Sequence, residues 1–479
     1  GNLERAVDHA LSSAQNNNSN NRNRPMTQQR RSSLPEAPDG QDSGLKRILG
    51  LPALVFFGLA YMVPLTVFTT YGVVTETTGG HVPMAYVITL AAMFFTAYSY
   101  GKMVEHYPTA GSAYTYTRRA FGGRVGFMVG WALLLDYIFL PMINYLVIGI
   151  YMKEVFPAID QGVWVVAAIV AVTALNILGI KLVAKMNLII IGFQFVFLAT
   201  FIAISLKVIA GGEAPSLLAP FHSEGLQWTT IVGGAAILCL SFLGFDAVST
   251  LCEETREPKR DIPRAIMLCT LIGGGLFILA SWVGHLVFPD FHNFGSADSA
   301  AVDVMRRAGG GFLVAFFTAA YVAGCFASAM AAQASVSRIL FAMGRDQVLP
   351  RVFGKLSQRY GTPLGSTLIV GAISLMALVI SLELAATMIS FGALVAFSFV
   401  NLSVIKHYLV DEHLMQPKNL LRYGVMPSVG FLLTIWLWSS LSLNTFQVGL
   451  TWVAVGFAYL LYLTRLFKVE VPDLELEEN

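Results

Sequence analysis

Charged residues are scarce in this chain of 479 residues. They make up 13% of it, about half the usual share of a soluble domain, whereas hydrophobic residues make up 55%. Apolar runs of about 18 residues or more, each long enough for a transmembrane helix, recur from about 48 to 467. This composition excludes a soluble globular protein and predicts an all-α integral membrane protein.

Cysteines and catalytic motifs are also scarce. The sequence has no CxxC pair, no GxGxxG loop, no His and Cys group with metal-ligand spacing, and no nucleophile–base pair. It therefore predicts no enzyme activity, no cofactor, no metal and no nucleic-acid partner. The lipid bilayer is the expected surrounding. All four cysteines lie in or beside apolar runs and are expected to be small core residues: Cys239, Cys252, Cys269 and Cys325.

Twelve helical spans account for the apolar runs. Placing the N-terminus in the cytoplasm puts 22 of the 31 Lys and Arg on the inner side, four on the outer side and five in the N-terminal tail. This asymmetry predicts a multi-pass protein of the cytoplasmic (inner) membrane with both ends inside. The predicted spans are 48–77, 82–106, 123–155, 162–180, 184–209, 229–251, 264–288, 308–343, 364–382, 384–408, 425–442 and 445–467.

Two predicted spans contain residues that interrupt a helix. In span 1, Gly58 and Pro64 flank the stretch LAYMV, and in span 6 Gly244 lies just before Phe245 and Asp246. Such interruptions in matching helices, five spans apart, indicate a transporter built from two inverted repeats, whose unwound segments line a substrate cavity.

The repeats divide the chain into four parts. The first is polar and low in complexity, with the stretch SSAQNNNSNNRNRPMTQQRRSS, and is expected to be disordered. The parts are a disordered cytoplasmic tail at 1–45, a transporter core at 46–408 with repeats 46–209 and 229–408, two additional helices at 425–467, and a C-terminal cytoplasmic tail at 468–479.

Two aspartates fall inside predicted spans, where an ionised side chain costs about 2.5–3.5 kcal/mol. Asp246 follows the break in span 6, so we expect it to face the cavity and bind a cationic substrate, and it is also a candidate for the coupling proton. Asp136, in span 3, has three possible roles. It binds a second ammonium group, it carries a coupling proton, or it is a structural acid bonded to a helix end or a buried tyrosine.

Several stretches of the sequence resemble the amino acid–polyamine–organocation superfamily. They are YPTAGSAYTYTRRAFGGRVGFMVGW (107–131), SFLGFDAVSTLCEETREPKRDIPRAI (241–266), ASVSRILFAMGRDQVLP (334–350) and TPLGSTL (362–368). The resemblance covers about 48–467 and implies a LeuT-type fold with a 5+5 inverted repeat and two extra helices.

Within that superfamily, GLAYMVPLTVFTTYG and GFMVGWALLLDYIFLPMIN are most similar to bacterial putrescine importers. The implied function is secondary active import of putrescine or a related polyamine, driven by protons. The alternative is an amino acid or monoamine permease of the same fold. A polyamine exchanger or a membrane sensor is a weaker alternative.

Two departures from the superfamily bear on substrate and coupling. Amino-acid members usually have a GSG-like run in the first broken helix, whose N–H groups hold the substrate carboxylate, but Tyr61 and Met62 stand there in this chain. This difference suits a diamine, which has no carboxylate. Some proton-coupled relatives have a lysine in span 5, where this chain has Gln194. Ser328 and Ser335 in span 8 are the candidates for a sodium site.

The substrate site should also offer aromatic faces, because ammonium groups bind them favourably. Tyr61 and Phe242 are the first candidates, since they lie at the breaks. The remaining predicted substrate-binding residues are Met62, Gly244, Phe245, Asn144, Tyr145, Tyr321 and Phe391.

The inner loop CEETREPKRDIPRAI follows span 6. Its charges form either a cytoplasmic gate network or a solvated loop that fixes the topology. The candidate gate residues are Glu253, Glu254, Arg256, Arg260 and Arg264.

Overall fold

The computed structural model describes residues 45–212, 216–297, 300–441, 443–466 and 468–472. The predicted N-terminal tail up to residue 44 and the predicted C-terminal tail from residue 473 lie outside the described residues. Regular structure in the described part is helical, apart from one β-bridge between Leu49 and Thr255.

Fifteen α-helices occur within these residues, and several continue into 3-10 or π segments. In chain order they are α1 Leu51–Met62, α2 Tyr71–Thr78, α3 Val82–His106, α4 Ser112–Phe121, α5 Gly123–Val155, α6 Gln161–Leu178, α7 Ile180–Ala210, α8 Trp228–Leu238, α9 Pro258–Val287, α10 Ala300–Arg345, α11 Leu364–Ser374, α12 Leu382–Val404, α13 Pro417–Leu420, α14 Met426–Ser439 and α15 Leu443–Leu463.

Eleven helical segments of the described chain are long and apolar enough to cross a membrane. The predicted span 364–382 is the exception. It consists of α11 followed by a 3-10 turn at Leu375–Leu378, and together they are shorter than the other segments. About 15 helical residues rise roughly 23 Å, less than the ~30 Å of a bilayer core.

Local chemistry explains several helix ends. Asp160 caps α6, because its Oδ1 accepts a hydrogen bond from the N–H of Gly162 at 2.8 Å. Gly179, at φ 134°, separates α6 from α7, and its N–H closes the preceding turn on Leu175. Ser381 caps α12 through the N–H of Leu384 at 3.2 Å.

The long helix α10 contains a kink. Gly309 and Gly310 have non-helical backbone angles, and Gly310 has φ 64°. The glycine run therefore separates a short first section from the apolar section that follows, which agrees with the predicted start of that span near residue 308.

Helix α5 packs against α10 and α12, and α3 packs along α9, while α1 contacts α7, α9 and α10. In an apolar 18-residue stretch of the broken span at Trp228–Glu254, 76% of the residues are buried, compared with 17% in α15. The outer helices therefore present apolar side chains where a bilayer would contact them. Exposed examples are Val170, Ile189, Val196, Leu432 and Val455.

The cysteines behave as predicted. All four are buried free thiols inside the helical core.

Candidate substrate site

The first broken helix is interrupted directly before Pro64. Helix α1 ends at Met62, Val63 has φ 54° and ψ 101°, and the chain continues as a 3-10 helix at Pro64–Phe68. Proline has no N–H to continue the α-helical ladder. The freed carbonyl of Met62 accepts a hydrogen bond from the Thr66 hydroxyl at 3.0 Å.

Gly58 does not mark this break, and that part of the prediction is wrong. It lies inside the regular helix α1. A Cβ atom at this position would lie 2.4 Å from Sγ of Cys269 and 2.9 Å from a methyl of Val248. Gly58 therefore allows α1 to pack closely on its neighbours.

The second broken helix is interrupted at Gly244. Helix α8 passes into a 3-10 turn at Cys239–Phe242, Leu243 is extended, and Gly244 has φ 135°. A 3-10 helix at Asp246–Glu254 then completes the span. The positive φ requires a residue without a Cβ atom.

The two breaks are in direct contact. A Cβ atom on Gly244 would lie 2.6 Å from Cδ1 of Tyr61 and 2.9 Å from Cγ of Met62. The absent side chain at Gly244 thus makes room for the end of α1. The unwound segments of the two spans consequently meet in the protein interior.

Asp246 begins the second half of the broken span and is 1% exposed. Its Oδ2 accepts a hydrogen bond from the hydroxyl of Tyr137 at 2.5 Å, and its Oδ1 accepts one from the N–H of Gly244 at 3.1 Å. The carboxylate is therefore held in a defined orientation by the break and by α5.

Asp136 is also 1% exposed, and its carboxyl group interacts electrostatically with that of Asp246. Among the described residues, Oδ1 of Asp136 has no hydrogen-bond partner and neither aspartate has a cationic partner. Tyr61 and Tyr100 both lie within electrostatic range of the two carboxyl groups. This cluster of acids and tyrosines is the acidic centre of the fold.

A hydrogen-bonded chain links the first break to α5 and α10. The Asn144 amide donates to Ser328 Oγ at 3.0 Å, and the Ser328 hydroxyl donates to the carbonyl of Tyr61 at 2.7 Å. Asn144 therefore reaches the unwound end of α1, while Ser328 satisfies a carbonyl that the helix break leaves open.

Other predicted substrate-site aromatics contact different neighbours. Phe242 packs against Phe277, with ring centroids 5.3 Å apart, and Phe245 packs against Phe397 at 5.3 Å and Tyr100 at 5.9 Å. Through Tyr100, Phe245 adjoins the acidic centre.

Three predicted residues are not in the acidic centre, and the structure corrects the expectation that they would share one site. The Tyr145 hydroxyl bonds to Gln333 Oε1 at 2.7 Å, and Tyr321 bonds to Thr69 at 2.7 Å. Phe391 packs against α15, since a Cβ atom at Gly449 would lie 2.4 Å from its ring.

The residues considered for sodium or proton coupling do not form one site in the structure. Ser335 accepts a hydrogen bond from Thr250 at 3.1 Å, away from Ser328 by two helical turns. Gln194 is fully buried next to Gly324, where an added Cβ atom would lie 2.7 Å from the Gln194 amide nitrogen and 2.9 Å from a methyl of Val63. Neither its amide nitrogen nor its oxygen has a hydrogen-bond partner in the described part of the chain.

The predicted gate acids form ion pairs with α10 rather than with their own loop. Arg338 makes two 2.7 Å bonds to Glu254, and both side chains are at most 3% exposed. Arg345 makes two bonds to Glu253, at 3.0 and 3.1 Å. Both pairs are bidentate, the strongest geometry for arginine and carboxylate.

The arginines of the predicted gate network do not join these pairs. Arg260 pairs with Glu257 at 2.6 Å and Asp261 at 2.9 Å, at the exposed start of α9. For Arg256 and Arg264, no ion pair occurs within the described residues. The prediction of one network among five loop residues is therefore wrong. The three arginines are exposed and are solvated by water, whereas the buried acids require the arginines of α10.

A second group of polar residues lies next to the Glu253–Arg345 pair. Asp346 accepts a hydrogen bond from the Tyr114 hydroxyl at 3.0 Å, and its carboxylate lies 3.5 Å from Arg118. Burial raises the pKa of Tyr114, so its hydroxyl remains a neutral donor.

Sequence reasoning missed four of these residues as site members. Arg338 and Arg345 were detectable in principle, because a seven-residue spacing puts both on one face of a helix. For Tyr137, the only signal in the sequence is its position directly after Asp136. Tyr100 carries no comparable signal, since a tyrosine inside an apolar helix is usually a core residue.

Within the described residues, eleven apolar helical segments, two of them broken and meeting at a buried acidic centre, describe a multi-pass membrane transporter. The chain belongs to the amino acid permease family, whose model matches residues 53–467. It is therefore a transporter and not an enzyme.

Three relatives illustrate the range of the family. The chain is 42% identical to the low-affinity putrescine importer PlaP of Escherichia coli K12 over 437 residues, which cover 90% of this chain and 96% of the relative. It is 26% identical to the branched-chain amino acid permease BcaP of Bacillus subtilis, covering 89% and 95%. It is 28% identical to the vacuolar cationic amino acid transporter 2 of Arabidopsis thaliana, covering 80% and 64%.

Proposed function

We propose that this chain imports putrescine or a closely related polyamine across the cytoplasmic membrane, coupled to protons. The 42% identity to a putrescine importer over nearly the whole of both chains supports the substrate. The observation that carries the proposal is the acidic centre, where two buried carboxyl groups have no cationic partner among the described residues. A diamine supplies the missing positive charge.

Asp246 is the proposed ligand of one ammonium group. Its carboxylate is already oriented by Tyr137 and by the Gly244 N–H, so it binds a cation without first losing rotational freedom. The ring faces of Tyr61 and Tyr100 contribute cation–π attraction, worth about 2 kcal/mol or more in a dry site.

Asp136 is the proposed partner for a second positive charge. Its Oδ1 is available to either the distal ammonium group or a coupling proton. The first role explains a preference for diamines, and the second explains energy coupling. Both roles use the same atom and exclude each other, so Asp136 is either the second amine ligand or the carrier of the coupling proton in one transport step.

We propose twelve spans with both ends in the cytoplasm, with α11 and its 3-10 turn as the short ninth span. The core at 46–408 then has LeuT-type inverted repeats at 46–209 and 229–408, additional helices at 425–467 and tails at 1–45 and 468–479. Two observations support this arrangement: the breaks at Pro64 and Gly244 lie five predicted spans apart, and they contact each other.

Substrate access requires movement, because Asp136 and Asp246 are both nearly inaccessible. Rocking of helices around the acidic centre would open it to each side in turn. The pairs Glu254–Arg338 and Glu253–Arg345 join the second half of the broken span to α10. They are the proposed cytoplasmic gate, since opening on that side would separate the charges.

An amino acid permease is the second candidate function, supported by the resemblance to the branched-chain permease of B. subtilis. At the first break, however, Tyr61 and Met62 occupy the space beside Gly244. A substrate carboxylate there would also meet the two aspartates, and like charges repel strongly in a dry site.

The test is uptake of radiolabelled putrescine and leucine into proteoliposomes, with and without an inward proton gradient. The proposal predicts putrescine uptake that the gradient stimulates, and little leucine uptake. Leucine uptake without putrescine uptake would overturn the substrate in favour of the second candidate. Putrescine uptake that ignores the proton gradient but follows a sodium gradient would overturn the coupling.

A further inference from the structure

A cluster of metal-ligand side chains lies outside the acidic centre. His106 ends α3, while His407 belongs to a π-helical segment at Ile405–Asp411 that continues α12, and Glu412 follows it. The imidazole and carboxylate ligand atoms of these residues lie within 4.8 Å of one another. The two histidine rings have centroids 4.1 Å apart.

The spacing suits a small tetrahedral metal ion. Bonds of about 2.0–2.1 Å to imidazole nitrogen place neighbouring ligand atoms roughly 3.3 Å apart. Glu412 Oε1 lies 3.1 Å from His407 Nε2 and 3.9 Å from His106 Nε2. A side-chain adjustment of less than about 1 Å brings all three within bonding range of one ion. Two imidazoles and a carboxylate suit zinc and leave a fourth position open.

The surroundings orient one ligand. The Tyr107 hydroxyl lies 3.3 Å from Nδ1 of His407. When Nδ1 carries the proton and donates to Tyr107, Nε2 is free to bind the metal. A metal-binding histidine usually donates its other ring N–H to an outer partner in this way. Tyr408, in the same π segment, donates to the carbonyl of Lys102 at 2.7 Å. This bond holds the segment against the end of α3.

The backbone of the segment is itself unusual. A π-helix is rare, and such turns occur frequently at functional sites. The π turn places both His407 and Tyr408 against α3 from consecutive positions. A regular α-helix turns by about 100° per residue, more than a π-helix does, so it would present these two side chains to α3 in a different register.

We propose that His106, His407 and Glu412 form a binding site for Zn²⁺ or a similarly coordinated divalent transition metal. The ion joins the C-terminal end of α3 to the π segment after α12. A bound ion therefore resists any separation of these two elements and slows a transport cycle that requires it. The site is distinct from the acidic centre and does not depend on which solute the chain carries.

The test is a zinc titration of the purified full-length protein, with any affinity tag removed and metal stripped by a chelator. Zn²⁺ is added in competition with a chromophoric zinc chelator. We expect one tight site per chain. Its affinity should fall at least about 100-fold in His407→Ala and in Glu412→Gln, and about 10–100-fold in Tyr107→Phe, which removes only the outer contact. His292→Ala, a change of an exposed histidine in a distant loop, is the matched control.

Thermal unfolding with and without Zn²⁺ gives a second readout. Binding to the folded state raises the melting temperature by mass action, so zinc should stabilise the wild type and His292→Ala but not Glu412→Gln. Glu412 is exposed, so this variant should fold even if His407→Ala does not. The proposal is overturned if the wild type has no tight site, or if Glu412→Gln and Tyr107→Phe both bind zinc as the wild type does.

Discussion

The hydroxyl of Tyr137 on α5 lies 2.5 Å from Oδ2 of Asp246, directly after the break in the sixth span. This contact connects an unbroken helix to the unwound segment that we propose as the amine site. The N–H of Gly244 holds the other carboxylate oxygen. Recognition of a cation at Asp246 thus depends on groups that fix the carboxylate as well as on its charge.

Tyr137→Phe tests this dependence. A hydrogen bond to a charged group is worth about 1.5–3 kcal/mol, so its loss should raise the KM for putrescine roughly 10-fold or more. Uptake kinetics in proteoliposomes provide the measurement. Tyr145→Phe is the matched control, because its hydroxyl bonds to Gln333 instead, and its KM should stay near that of the wild type. Equal effects of the two changes would contradict the assignment.

Gly244→Ala should abolish transport. The left-handed backbone costs an alanine about 1–2 kcal/mol, and the 2.6 Å approach to the Tyr61 ring adds roughly 1–3 kcal/mol of overpacking. Melting temperature in detergent and putrescine uptake are the measurements.

Gly275→Ala is the control for this change. Gly275 lies in α9 with open space around its Cα atom, so alanine should be tolerated and slightly stabilising, by about 0.5–1 kcal/mol. An active, stable Gly244→Ala protein would show that the close contact of the two breaks is not required.

The buried pair Glu254–Arg338 should be costly to break from one side. Arg338→Met leaves a buried carboxylate unpaired, and we expect a loss of about 3–5 kcal/mol of stability. The double variant Arg338→Met/Glu254→Met should recover much of that loss, because it buries no unpaired charge. Thermal unfolding in detergent measures both. In Glu257→Gln, only the exposed pair with Arg260 is lost, and the melting temperature should barely change.

Asp136→Asn separates proton coupling from substrate binding. If Asp136 carries the coupling proton, the variant should exchange putrescine across the membrane but lose accumulation driven by a proton gradient. Exchange and gradient-driven uptake are measured in the same proteoliposome preparation. Gradient-driven accumulation equal to that of the wild type would exclude Asp136 as the proton site.

The helix breaks were predictable because they follow from single residues. Proline lacks the N–H that an α-helix needs, and glycine accepts the positive φ found at Gly244. Gly58 shows the limit of that reasoning, because a glycine also occurs inside a helix where a neighbour approaches closely. Only the position of Cys269, more than 200 residues away, distinguishes the two cases.

The direction in which a side chain points was harder to predict. A helix that is apolar all round carries no stripe to show which face points inward. Phe391 and Tyr145 were therefore predicted to share the site with Tyr61, but they pack against α15 and Gln333 instead.

Long-range charge pairs were missed for a similar reason. Glu253 and Glu254 have several arginines within a dozen residues, yet their partners are Arg345 and Arg338 on α10. Residues close in the sequence are the expected partners of these acids. A buried acid instead pairs with the arginine that the fold places beside it in the interior. The His106–His407 contact, across some 300 residues, was likewise invisible in the sequence.

Equilibrium binding of radiolabelled putrescine to the purified protein tests the central claim most directly. Wild type and Asp246→Asn are compared, with Asp160→Asn as control, since asparagine preserves that exposed helix cap. Removing the charge that pairs with a buried ammonium group should weaken binding by about 100-fold or more, while the control should bind as the wild type does. Unchanged putrescine affinity in a folded Asp246→Asn protein would contradict the account.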